Sequence, residues 1–480
     1  MRFSFFNRRP AIVMATVALA ATACSTDRLL KANDPDIINP GDVESTLGAD
    51  AVRNGALARL QTALFSSDVN NGEGIYLLGG LLADEWKSGN TFTQTDEIDQ
   101  RVMRNDNANI SGEYRQLNRV RTAANQALDL LKRYPPASGT SDAAIQQGKV
   151  AQMYLVRGVA EMHLAESWCN GLAFSDGTTA AIKFGTPMTT QQAMTIALAS
   201  FDSAAASLGT TTADTLSAKI KDAIAIGRGR AYLSLNDYVK AKQAVQGVAD
   251  TAAWVMSFSQ TSGFDNGTWS INNNQKRYTV GDSIDTGPTA TLEGAALPFV
   301  TAADPRVPTL ANGNSFQTNV PNFVQRIWTA RDQSIAIFAS IDAKLIAAEA
   351  DLAGGQSAAY LTTLNALRAG PTRIGDPRAP VTITGMAALT DPGTPALRVA
   401  QFFREKAFWT FGRGQRLGDA RRQIRQYGRP QTEVFPSGNY LKGGKFGTDV
   451  NFPIPQTEQN NPNYSTPAGQ TFNGCTDRNA

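Results

Sequence analysis

Three stretches of the chain place flat aromatic rings beside amide side chains. Trp86, Asn90 and Phe92 share DEWKSGNTF, and Trp269, Asn273 and Tyr278 share TWSINNNQKRYTV. Trp328 closes the basic and apolar segment NFVQRIW. Such rings stack on the C–H faces of pyranose sugars, while amides hold the hydroxyls. These seven residues are the candidates for a ligand-binding surface. The alternative is that the rings only plug their loops onto a scaffold.

Catalytic chemistry finds little support. Asp84, Glu85, Asp96, Glu97 and Asp99 include enough carboxylates for a glycosidase pair, but spacing along a loop does not fix the separation such a pair needs. They are expected to be surface carboxylates. His163 is the only histidine, which excludes a multi-histidine zinc site and any mechanism with two imidazoles. It sits in VAEMHLAESW, inside a strongly periodic helix, where a packing role is expected. No G-x-S-x-G elbow accompanies it. Gly412-Arg413-Gly414 with Gly418 lacks the dinucleotide spacing and reads as a turn. Asp34, Asp36 and Asp42 fall short of a calcium loop. No catalytic residue, metal or cofactor is expected. The basic cluster Arg413, Arg416, Arg421, Arg422 and Arg425 is interleaved with Asp419 and follows Glu405, Phe408, Trp409 and Phe411, which favours an ion-paired, partly buried helix over a phosphate site.

The first residues carry a different message. Arg2, Arg8 and Arg9 precede an apolar run from Ala11 to Ala23, and Cys24 follows at once. The run is shorter than the ~20 residues a membrane span needs. A basic start, a short apolar stretch and small residues before the cut describe an export signal. The tract resembles a bacterial lipoprotein signal, with Ala21 where leucine is usual and Ser25 in the pattern of outer-membrane sorting. Cys24 is therefore the expected lipidation site, against the alternative of ordinary cleavage after Ala23. Residues 1–23 are the signal and 24–45 the lipidated cysteine and tether. Removing the three signal arginines from 45 basic residues leaves 42, against 42 acidic. A neutral mature chain argues against nucleic acid as a partner. Cys169 and Cys475 then remain as an even pair in an oxidising compartment, and a disulfide stapling the tail to a helix end is expected; two separate buried thiols are the alternative.

The elements that must position the candidate surface are mostly helical. Apolar and small residues at spacings of three and four predict helices over 51–64, 113–134, 147–168 and 190–208. Ala218 to Val248 reads as two helices joined by a short turn at Leu235-Asn236-Asp237-Tyr238, and Asp342 to Ala369 repeats that plan. Small residues at such a seam let antiparallel helices approach closely, the logic of a tetratricopeptide repeat. Residues 66–110 and 254–330 lack a helical period and read as irregular insertions, where binding loops are usually found. After residue 430, Pro, Gly and Asn indicate loops and short strands.

Taken in order, NGALARLQTAL, EYRQLNRVRTAANQALDLL, KVAQMYLVRGVAEMHLAESW, DPRVP, DAKLIAAEADLAGG with LNALRA, FFREKAFWTFGRGQRLGDARR and NFPIPQTEQNNPN resemble the SusD/RagB family of outer-membrane nutrient-binding lipoproteins. The resemblance implies a mainly α, tetratricopeptide-like scaffold over 46–480 that carries irregular ligand-binding loops. It also implies a non-catalytic protein held on the cell surface of the outer membrane. There it would capture oligosaccharides or peptides and deliver them to a SusC-like TonB-dependent transporter. An exported glycoside hydrolase and an envelope tetratricopeptide-type scaffold are the competing functions.

Overall fold

A computed structural model describes residues 43–65, 73–178, 181–209, 214–261, 263–283, 294–466 and 471–480. The signal, Cys24 and nearly all of the tether lie outside the described residues. Helices come first: α1 (Thr46–Phe65), α2 (Ile75–Leu82), α3 (Thr93–Asp99), α4 (Ala108–Arg133), α5 (Gln146–Ser167), α6 (Thr190–Leu208), α7 (Thr215–Ser234) and α8 (Tyr238–Ala244). Later come α9 (Ser340–Ala353), α10 (Ser357–Ala369), α11 (Pro395–Trp409) and α12 (Arg416–Tyr427). Consecutive long helices stack as antiparallel neighbours, α4 on α5, α5 on α6, α6 on α7 and α9 on α10, with α1 closing against α4. Among the described residues no helix is long and apolar enough to cross a membrane.

Local chemistry explains the boundaries. Thr189 accepts from the Gln192 backbone N–H at 3.1 Å, and the Gln192 side chain accepts in turn from Thr189 N at 2.8 Å, so a capping box starts α6. Close approach explains the small residues. The Phe201 ring on α6 sits between Gly158 of α5 and Gly227 of α7, where an added Cβ would stand 2.8 Å from it on either side. Alanine at either glycine would push two helices apart.

The strands are short and pair in twos. β1 (Trp86–Ser88) runs antiparallel to β3 (Tyr278–Val280), and β2 (Ala253–Met256) to β6 (Ile335–Ala339). β4 (Thr309–Asn314) and β5 (Pro321–Gln325) make one hairpin, and β7 (Thr372–Asp376) with β8 (Ala379–Ile383) another. β3, β4 and β5 lie in the 254–330 segment expected to be irregular, where β2 also ends; β1 lies in 66–110, and β6, β7 and β8 follow residue 330. The other expected insertion, 66–110, is corrected by the structure: α2 and α3 lie inside it, and α4 begins at its end. Every residue of IYLLGGLL in α2 is buried, so its apolar character runs all round and shows no period.

Carboxylates expected at the surface are also relocated. Asp84, Glu85 and Asp99 are buried. Asp84 accepts from Arg416 Nε at 3.0 Å, and Glu85 accepts from the Gly412 N–H at 3.1 Å. Desolvation drives the Glu85 carboxyl up to about 8 from 4.5, with its second oxygen left without a partner. Its folded pKa lies above its unfolded one, so its contribution weakens as pH rises from 4.5 to about 8. Glu85→Gln should therefore raise the unfolding midpoint at pH 8 and leave it unchanged at pH 4, read by urea unfolding at both values.

The arginine helix is largely ion-paired. Arg413 donates to Asp342 at 2.9 and 2.6 Å, and Arg422 bonds Glu349 and Asp419. In the DPRVP segment, Arg306 bridges Asp304 at 2.8 Å and Glu405 at 2.6 Å beneath the rings of Phe408 and Trp409. His163 is buried against Tyr76, and burial with Arg230 holds its pKa well below the usual range, leaving it neutral.

Cys169 and Cys475 form a disulfide with Cα atoms 5.8 Å apart, closing a separation of 306 residues. It ties the tail to the end of α5, where Cys169 N also donates to Phe452 O at 2.9 Å. Closing so long a loop constrains the unfolded chain. Cys169→Ser with Cys475→Ser is expected to cost about 2–5 kcal/mol, measured by urea unfolding of oxidised protein against the double variant.

Candidate functional site

Three loops meet beside the β1–β3 pair. The backbone locks them together: Gly89 N donates to Arg277 O, Phe316 N to Lys276 O and Gln317 N to Gly89 O, each at 2.8 Å. Gly89 makes this possible, because an added Cβ would lie 2.4 Å from Ser315. The closure places Arg277 between two rings, with its guanidinium 4.8 Å from Phe92 and 4.7 Å from Phe316. Arg277 Nη1 also donates to Asn90 Oδ1 at 3.1 Å, which fixes its plane from below. Phe92 and Phe316 remain 49% and 50% exposed. Half-exposed phenylalanines normally pivot. Here a cation between them holds both in place and leaves about half of each ring exposed.

The floor is polar and rigid. Lys442 Nζ donates to Ser88 Oγ at 3.0 Å and to Asn90 O and Asp96 Oδ1 at 2.5 Å. Asp99 accepts from Ser88 N at 2.8 Å and Tyr440 Oη at 3.0 Å; burial raises its pKa to about 6 against these bonds. Beneath them the Tyr278 hydroxyl donates to Glu73, whose carboxyl burial also shifts upward. The arrangement offers two flat apolar faces, a planar cation and nearby hydroxyl and amide groups. That combination is chemically suited to a ligand with C–H faces and polar edges. Among the described residues no group of three or more His, Cys, Asp or Glu is placed to hold a metal.

The seven candidates from sequence separate sharply. Phe92 lies on this surface and Asn90 directly beneath it. Trp86 is fully buried against Phe411, Trp328 is buried with Nε1 donating to Ser334 O at 3.1 Å, and Tyr278 is buried over Glu73. These three rings fill the core and offer no free face, because strand pairing folds their loops inward. Trp269 is half-buried on a π-helical turn (Trp269–Asn274), and Asn273 Oδ1 accepts from Gln325 Nε2 at 3.1 Å. Neither is joined to the Phe92 surface by a bond. Arg277 and Phe316 were not among the candidates. Phe316 follows Asn312-Gly313-Asn314, a turn signal that marks a hairpin tip where an exposed ring is worth notice.

Comparison with known proteins rests on structure, since no protein-family model and no curated sequence matches the chain. Several solved structures share its fold. A SusD-like carbohydrate binding protein from Bacteroides fragilis superposes with a TM-score of 0.59 at 14% identity, covering 88% of this chain and 99% of the other. The chain has the SusD-like fold. A SusD superfamily protein from Parabacteroides distasonis gives 0.59 at 11% identity over 88% and 99% of the two chains. A putative sugar binding protein from Bacteroides vulgatus gives 0.57 at 15% over 88% and 98%. The mainly helical, tetratricopeptide-like scaffold of SusD-like proteins is thus shared over 88% of this chain, and the Phe92 surface stands on its irregular part.

Proposed function

We propose that this SusD-like chain is a non-catalytic binding protein that captures oligosaccharides on the surface formed by Phe92, Arg277 and Phe316. The observation that carries the reading is a pair of half-exposed rings clamped on one guanidinium. Carbohydrate- or sugar-binding descriptions of proteins with the same fold support it. Hydrolysis is disfavoured because, of the five candidate acids, Asp84, Glu85 and Asp99 are buried and engaged by Arg416, Gly412 and Tyr440, while Asp96 is paired with Lys442 and Glu97 with Arg104. In this reading Cys24 carries lipid, the tether reaches the outer face of the outer membrane, and a SusC-like TonB-dependent transporter receives the ligand.

A panel of neutral and acidic oligosaccharides and of short peptides tests the ligand class. We expect saturable binding of an oligosaccharide by the purified full chain, with the saccharide recovered unchanged. Release of shorter sugars would establish the hydrolase, and binding of peptides alone would overturn the sugar reading. For the partner, a large barrel protein should co-purify with the chain from detergent-solubilised membranes.

A further inference from the structure

A second recess shares no residue with the Phe92 surface. It opens between the first turn of α6, the ends of α5 and α7, and one face of α12, with a volume of about 390 Å³. Asn170, Thr189, Thr190, Gln191, Ser234 and Asn236 bring hydroxyls and amides to its wall. Arg421 and Arg425 line it from α12.

Most charges around the recess are already matched. Arg230 meets Glu166 at 2.8 and 2.5 Å, and Asp477 accepts from Asn170 Nδ2 at 3.0 and 2.9 Å. Arg422 is satisfied by Glu349 and Asp419. Arg421 and Arg425 form no ion pair, although Glu166 acts on both from a distance and Asp477 on Arg421. Arg421 is 2% exposed, and its Nη1 donates to the carbonyls of Ala165 and Glu166 at 3.3 and 2.7 Å. Its Nε is buried with no acceptor, and no carboxylate of the described residues pairs with it or with the exposed Arg425. Four residues apart on a helix, the two cations share a face and repel. Desolvation and then Arg425 pull the Arg421 pKa down to about 9. Ser234 Oγ is a further buried group without a partner. The positive end of the 19-residue helix α6 adds to the same wall. Ala480 lines the recess too, and no ion pair ties it to either arginine.

We propose that this recess binds a small acidic sugar, with the carboxylate bridging Arg421 and Arg425 and the hydroxyls meeting Ser234, Thr190 and the neighbouring amides. A planar guanidinium matches a carboxylate, the hydroxyl-rich wall matches a sugar rather than an apolar acid, and the volume falls within the range of small-molecule sites. A bound carboxylate supplies the missing counter-charge between two like charges. The inference does not depend on the Phe92 surface.

Isothermal titration of the full chain with galacturonate, galactose and inorganic phosphate tests it. Galacturonate should bind, more weakly as salt rises, and galactose should give no heat. Arg425→Gln, an exposed position, should weaken galacturonate at least tenfold, and Arg421→Gln should do the same. Circular dichroism checks that Arg421→Gln folds; where it does not, the Arg425 variant decides alone. Phe92→Ala with Phe316→Ala should leave galacturonate affinity unchanged, which separates this site from the oligosaccharide surface. Absence of galacturonate binding, equal binding of galactose, tighter binding of phosphate, or an unaffected Arg425→Gln would each overturn the proposal.

Discussion

Phe92→Ala combined with Phe316→Ala is expected to lower oligosaccharide affinity about 100-fold while leaving the unfolding midpoint in place. Each ring is half exposed, and the surface it leaves open is what a ligand could stack on. Losing one stacking face costs about 1.4 kcal/mol, or tenfold, and two independent faces multiply. Stability should hold within about 0.5 kcal/mol, because neither ring is part of the buried core. Arg277→Ala belongs to the same test. It leaves both rings but removes the group between them and the bond to Asn90, so affinity should fall although no apolar face is lost. Arg277→Lys keeps the charge without the plane, and it should recover only part of the loss. Equilibrium titration of the four proteins, with thermal unfolding alongside, reads all of these effects.

Glu349→Ala should be among the most destabilising single changes in the molecule. Glu349 is fully buried and accepts from both Arg422 terminal nitrogens, from Lys406 Nζ at 3.1 Å and from Tyr427 Oη at 3.2 Å. Asp419 is the other anion, 2.8 Å from Lys406 Nζ and 2.5 Å from Arg422. Two cations and two carboxylates therefore balance inside the α9–α11–α12 seam. Removing one carboxylate leaves an uncompensated buried charge, at a cost of about 3–5 kcal/mol. That is a large part of the ~5–15 kcal/mol that holds a typical domain. Glu349→Gln should lose nearly as much, since shape is retained and charge is not. The same cluster sets a pH response. Burial alone would raise the Glu349 pKa, but Arg422 and Lys406 outweigh it and hold the group below 4.5; Asp419 likewise lies below 3.8. Both folded values lie under the unfolded ones, so this stabilisation is complete above the ordinary carboxylate range and drains away as pH falls through it. Urea unfolding between pH 7 and pH 3 should show a steep loss for the parent chain and a flatter one for Glu349→Gln.

Much of the scaffold was legible because its signals are local. The α6 boundaries follow from the Thr189–Gln192 cap and the Gly209 stop, and the α7–α8 and α9–α10 pairs from small-residue seams separated by short turns. α2 was not legible, since a wholly buried helix with two glycines has neither a polar face nor strong propensity. The residues of the proposed surface were only partly legible. Of the aromatic and amide residues picked out in irregular loops, Phe92 lies on the proposed surface and Asn90 beneath it. Trp86 was misplaced because the sequence does not reveal that β1 pairs with β3, nearly 200 residues later, and carries the indole under Phe411. Arg277 and Phe316 escaped for the same reason, because only backbone bonds between distant loops make them neighbours of Phe92. The arginine helix was read correctly as ion-paired in outline. What the sequence could not show is which two arginines would find no paired carboxylate.

The central claim is that Phe92, Arg277 and Phe316 hold the ligand. A crystal structure of the full chain with the tightest-binding oligosaccharide of the panel tests it most directly. A pyranose ring lying flat on Phe92 or Phe316, with a hydroxyl within hydrogen-bond reach of Arg277, is the predicted result. A saccharide bound elsewhere, with both phenylalanine faces bare, would contradict the account.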